Sequence, residues 1–236
     1  MKTLGIVALA AIAAAPAGAQ RQQKSDVSPK ETRLMMHDYA KCVVARQRPK
    51  ASEALLANVD NATLLRRYPS LIVGQCLKGP RFATTRMSFA GDLYRYALAD
   101  ALVNREFALA PAPNFAEIAP LVHREAEPKP DPAKLRGVDY DAALTRHGES
   151  GAFRFLSVYG ECIVRADSAN SKALLTTQPE SVGEAARFTA LQPAFARCMP
   201  EGNTVRFGKV ALRGSIAVNY YRLAHAAAGT PVKART

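Results

Sequence analysis

Beyond the run Leu4–Ala15, no stretch of this sequence is apolar for long enough to cross a bilayer, which takes about 20 residues. That run is itself too short. A P-loop, a dinucleotide fingerprint, an HExxH helix and a CxxC pair are all missing. None of the four His residues stands at ligand spacing from another His or from a Cys. Nucleotide-cofactor and metal chemistry are therefore not expected, and no cofactor is assigned. His147-Gly148-Glu149-Ser150-Gly151 lacks the residue that a nucleophile elbow places between its Ser and second Gly. Strand signals are equally scarce, with Thr204–Phe207 the one short candidate. An all-α chain is the expectation.

What is present begins with an export signal. Lys2, the apolar run, Pro16 and the small residues Ala17 and Ala19 read as a secretory signal peptide over 1–19, cleaved before Gln20. No Cys follows the small residues, so a lipid anchor is not expected. The mature chain is expected to be periplasmic or secreted, with no membrane span and a polar, disordered start over 20–27.

In such a compartment four cysteines read as two disulfides. The spacing from Cys42 to Cys76 is close to that from Cys162 to Cys198, and the surroundings match. Tyr39-Ala40-Lys41-Cys42-Val43-Val44 parallels Tyr159-Gly160-Glu161-Cys162-Ile163-Val164. Ala54-Leu55-Leu56 parallels Ala173-Leu174-Leu175, and Met87–Leu93 parallels Val210–Ile216. Three landmarks in one order point to an internal duplication. The expected organisation is helical unit 1 over 28–108, a Pro-rich linker over 109–152, helical unit 2 over 153–228 and a basic tail over 229–236. Each unit should keep its own bridge, Cys42–Cys76 and Cys162–Cys198. Each bridge closes a loop of about 35 residues, worth about 3–4 kcal/mol in the chain-entropy model.

Within unit 1, Ser28-Pro29 marks a helix start, and Pro49 and Pro69 punctuate short pieces at 52–58 and 62–68. Longer helices are expected at 89–107 and 210–228, the second with a stripe of Leu212, Ile216, Tyr220 and Leu223. Gly91 and Gly214 hold equivalent places in them, where a glycine implies close approach of another backbone. Tyr39 and Tyr159, three residues before a Cys, are expected to lie over the disulfides. The linker is expected to hold a turn or two of helix near 114–119 and 139–147.

Two groups of residues are candidates for function. His37-Asp38 lies upstream of Cys42 on a predicted helix. With Tyr39 it is similar to the His-Asp helix of secreted phospholipases A2, where the His activates water and the Asp helps to hold calcium. Departures are plain: no Gly-rich loop precedes the pair, no Cys adjoins His37, and unit 2 carries Ser157-Val158 instead. The basic cluster Arg46, Arg48 and Lys50, with Arg66 and Arg67, suits phosphate or carboxylate. It lacks interleaved aromatics, so single-stranded nucleic acid is not an expected partner. Acids such as Asp92, Asp100, Glu161 and Asp167 carry no mark that separates them from other surface acids.

The Tyr-x-x-Cys-[Val/Ile]-Val start, the later Cys and the Gly-bearing helix, taken twice, resemble a family of uncharacterised exported proteins from alphaproteobacteria. The resemblance spans most of the mature chain and implies no catalytic residues. The formal net charge of +12 adds an attraction to anionic surfaces. The expected function is that of an exported, non-catalytic envelope binding or structural protein. Its partner would be an anionic envelope surface or another protein. The alternative is a secreted, phospholipase-like hydrolase using His37 and Asp38.

Overall fold

A computed structural model describes residues 28–78, 92–202 and 207–229. The expected signal peptide over 1–19, the segment 20–27, all of the tail but Gly229, Gly91 and most of Thr204–Phe207 lie outside the described residues. Helix α1 spans Pro29–Leu56. Its start is a capping box: Ser28 Oγ accepts from the Glu31 amide, and the Glu31 carboxylate accepts from the Ser28 amide. Pro49 does not divide α1 as expected. Proline lacks the N–H for the bond back to Ala45, so the helix kinks, with Gln47 at φ −130°, and then resumes. Helix α2 (Asn61–Arg67) starts on the Asp60 side chain, and two turns of 3-10 helix follow at Pro69–Leu71 and Gly74–Leu77. Helix α3 covers Leu93–Phe107.

Helix α4 runs from Gly137 to Ala166. It therefore absorbs 137–152, which the sequence pattern assigns to the linker; the six prolines of that stretch all precede Gly137, so nothing interrupts the helix. Short helices α5 (Ser168–Leu175), α6 (Val182–Ala190) and α7 (Gln192–Cys198) lead to α8 (Lys209–Ala227). No strand occurs among the described residues, so the protein is all-α.

The cysteines pair as expected, Cys42 with Cys76 and Cys162 with Cys198, Cα–Cα 5.7 and 5.8 Å. Those disulfides belong to an oxidising compartment. No helix among the described residues is long and apolar enough to cross a membrane. Each bridge is accompanied by a tyrosine bond. Tyr39 Oη accepts from the Val73 amide at 3.0 Å, and Tyr159 Oη donates to the Phe195 carbonyl at 3.0 Å. Val73 and Phe195 each stand three residues before the second cysteine of their bridge. The tyrosines thus tie a helix to the segment it is bridged to.

Helices α3 and α8 pack against each other at the centre; α1 covers α3, and α4 covers α8. One apolar core runs through both halves. Because α8 is surrounded, Arg213 to Ala224 is buried without interruption, which erases the expected one-sided stripe. Its polar residues are consumed internally: Ser215 Oγ donates to Leu156 O, and Asn219 Nδ2 to Ser157 O, clamping α8 to α4. Gly160 lies at that crossing, where an added Cβ would strike Ser215 and Asn219. Gly214 faces the ring of Tyr96 on α3, a side chain where the sequence suggested backbone.

From Ala108 to Arg136 the chain crosses the molecule without regular helix. It is held by side chains of the helices beneath. Arg165 donates to the carbonyls of Phe115, Ile118 and Ala119, while Glu161 accepts from the Leu121 amide and pairs with His123 at 2.5 Å. Burial works against the Glu161 charge, but hydrogen bonds from His123, the Leu121 amide and Arg165 hold its carboxyl below the usual range.

Gly214→Ala drives a methyl into the Tyr96 ring and should cost about 1–3 kcal/mol in urea unfolding. Gly148→Ala, on an open face of α4, should instead stabilise by up to about 1 kcal/mol.

Candidate functional site

Three helices leave a cavity of about 310 Å³ between the first turns of α1, the start of α3 and the start of α8. Its walls are mainly apolar, with Met36, Leu93, Tyr96, Ala97 and Val210. Its floor carries Arg33, His37, Asp100 and Arg213. Capping sets the mouth: with Ser28 starting α1, Thr32 and Met36 share a face with Pro29 on successive turns.

The floor is a buried ionic network. Arg213 is 4% exposed and spends all its guanidinium nitrogens. Nε and Nη2 donate to Asp100 at 3.2 and 3.0 Å, and Nη1 to Glu184 at 2.8 Å and Thr177 Oγ1 at 3.1 Å. Nη2 also donates to the Leu175 and Thr177 carbonyls. Arg33 reaches Glu184 and Glu180, each at 2.5 Å. Burial acts against the Arg33 charge, but hydrogen bonds to Glu180 and Glu184 outweigh it and hold the guanidinium above its ordinary value. Burial likewise acts against a charged Glu184. Arg33, the Glu180 amide and Arg213 overcome it and hold the Glu184 carboxyl low. Glu184 opens α6 as the third residue after its cap Ser181, and its carboxylate reaches back to the amide of Glu180, whose φ of 63° is unusual for a non-glycine.

His37 Nδ1 stands 3.2 Å from Asp100 Oδ2. Both Asp100 oxygens also accept from Arg213, so Nδ1 is the donor toward Asp100. Nε2 makes no hydrogen bond within the described residues. The carboxylate that meets His37 is thus that of Asp100, not of its chain neighbour Asp38. Adjacent helical residues point about 100° apart, so Asp38 faces away while Asp100 arrives from α3.

The basic cluster does not join this site. Arg46, Arg48, Lys50, Arg66 and Arg67 are exposed, and none lines the cavity. Lys50 pairs with Glu53 at 3.0 Å, and Arg66 donates to Thr63. Lys50 and Arg67 are brought near Tyr68, whereas Arg48 acts on the buried Tyr221. Arg33, Asp100, Glu184 and Arg213 were missed because each looks like a surface charge alone. One sign was readable: Asp100 and Arg213 interrupt apolar runs, Leu98-Ala99 to Ala101-Leu102-Val103 and Val210-Ala211-Leu212.

Removing Arg213 as Met leaves two carboxylates buried without their partner and should cost about 3–5 kcal/mol. The depressed Glu184 pKa makes its stabilisation fully present above the unfolded value near 4.3 and lost as pH falls through the folded one. Glu184→Gln should therefore be less stable than the native chain at neutral pH, with a shallower loss of stability between about pH 5 and pH 3. Urea midpoints across that range read both effects.

No protein-family model matches the chain, and the searches of curated proteins and of solved structures return no match.

Proposed function

We propose that this is an exported, non-catalytic binding protein that takes a small, largely apolar molecule into the cavity between α1, α3 and α8, with His37 Nε2 as its polar contact. One observation carries the reading: the walls are apolar while the charges beneath them are neutralised by one another. Such a floor holds shape and offers one directed hydrogen bond, the usual economy of a small-molecule pocket. No Ser or Cys lines it among the described residues. The signal-like 1–19 segment and the two disulfides support a periplasmic or secreted location. The net charge of +12 and the exposed Arg46, Arg48, Lys50, Arg66 and Arg67 support association with anionic envelope surfaces.

A second reading has one specific observation in its favour. The His37–Asp100 pair, with Nε2 free, is the arrangement of a general base that could activate water. In that hydrolase reading Asp100 orients the His37 ring, a role separate from the calcium contact expected of Asp38.

Titration of the oxidised protein with a neutral, environment-sensitive dye should show saturable one-to-one binding. Ala97→Trp, which fills the cavity, should weaken it at least tenfold while leaving the helical circular dichroism intact. Non-saturable binding, or equal binding by the variant, sinks the pocket reading. Turnover of a short-chain aryl ester that disappears in His37→Ala would move the assignment to the hydrolase. Retention on anionic vesicles should fall steeply between low and high salt; salt-independent retention removes the electrostatic part.

A further inference from the structure

Arg95 on α3 and Arg222 on α8 are buried as deeply as any apolar residue, 1% and 2% exposed. A guanidinium stays charged in proteins near neutral pH. Burial pulls Arg95 down, and burial with the charge of Arg95 pulls Arg222 to about 10. The two are joined by a short relay. Arg95 Nη2 donates to Asn58 Oδ1 at 2.8 Å, Asn58 Nδ2 to the Val122 carbonyl at 3.1 Å, and Arg222 Nη2 to that same carbonyl at 2.8 Å. A third guanidinium comes from the crossing segment. Arg124 lies 4.4 Å from the centre of the Phe153 ring, and Arg95 lies 5.5 Å from it.

These three cations differ from every other arginine anchored in the interior. Arg33, Arg165 and Arg213 each close on a carboxylate. Among the described residues Arg95, Arg124 and Arg222 form no ion pair. Arg95 Nε, Arg222 Nε and Arg124 Nη1 are buried donors with no acceptor. Asp92 and Asp60 act on Arg95, and Glu161 on Arg222, without a salt-bridge contact, and Asp92 keeps its own Oδ1 unbonded rather than closing on Arg95. Buried charge without a counter-charge in contact is costly for a fold.

We infer that Arg95, Arg124 and Arg222 form an internal site for a small oxyanion of the phosphate or sulfate type. Such an ion brings negative charge and several acceptor oxygens, in the geometry that a guanidinium fork matches. It would offer acceptors to donors that the fold leaves unbonded. None of the three arginines lines the α1–α3–α8 cavity, so this site is separate from the one above. Val122 and Arg124 belong to the crossing segment, so an anion here would fasten that segment over the α3–α8 pair. A buried water could take the donors but would leave the charge.

The test is calorimetric titration of the oxidised protein, freed of phosphate, with inorganic phosphate, against chloride at equal ionic strength. Saturable one-to-one phosphate binding is expected, weakened at least tenfold by Arg222→Met and by Arg124→Gln, and unchanged by Arg46→Gln on the exposed surface. Should Arg222→Met fail to fold, Arg124→Gln, at a half-buried position, carries the comparison. Absence of phosphate binding, binding that survives Arg124→Gln, or an equal response to chloride overturns the proposal. The first and last of these outcomes leave water as the occupant of the three donors.

Discussion

The guanidinium of Arg213 sits on the central helix almost beyond the reach of water, and several segments converge on it. Asp100 meets it from α3, the Leu175 carbonyl from the end of α5, Thr177 from the following turn and Glu184 from α6. Glu184 then hands the network to Arg33 on α1. An unmet guanidinium at this depth would be prohibitive, so the segments must arrive together. The cavity above follows from that constraint. The two guanidiniums of its floor, Arg213 and Arg33, are already ion-paired, and the polar atom it leaves open is on the histidine that Asp100 orients.

The same economy appears elsewhere along α3 and α8, beneath the crossing segment, with a different outcome. Arg165 and Glu161 fasten that segment through its carbonyls and one amide, and their charges are met. Arg95, Arg124 and Arg222, under or within the same segment, are not. The molecule thus carries one polar interior site that closes on itself and one with donors and charge in surplus. The first holds shape for a ligand beside it; the second asks for a ligand within.

Much of the frame was legible from the chain. Ser28-Pro29 was readable because a cap is a local bond between residues three apart. The bridges were readable because matching spacings in two halves favour one pairing, and the recurring Tyr39 and Tyr159 bonds follow the same spacing. Less legible was where a helix ends. Pro49 reads as a break, but a kink costs less than exposing Ala51, Ala54 and Leu55, all buried beyond it. The linker comes out too long for a related reason: its composition looks irregular, yet the prolines cluster before Gly137. His37 stands out in the sequence while its partner does not, since Asp100 is far along the chain and only packing of α1 on α3 joins them.

The sequence alone determined the helical class, the four-cysteine pairing and the capped start of α1 at Ser28. Each of these rests on local bonds or on a repeat visible as text. Tertiary structure alone decided which charges are surface and which are interior. A helix in the middle of a molecule buries every face, so Arg213, Asn219 and Arg222 on α8 go inside with Ile216 and Tyr220. Whether a buried arginine is satisfied, like Arg213, or left in surplus, like Arg222, depends on which distant segment reaches it, and nothing within one turn of the helix records that.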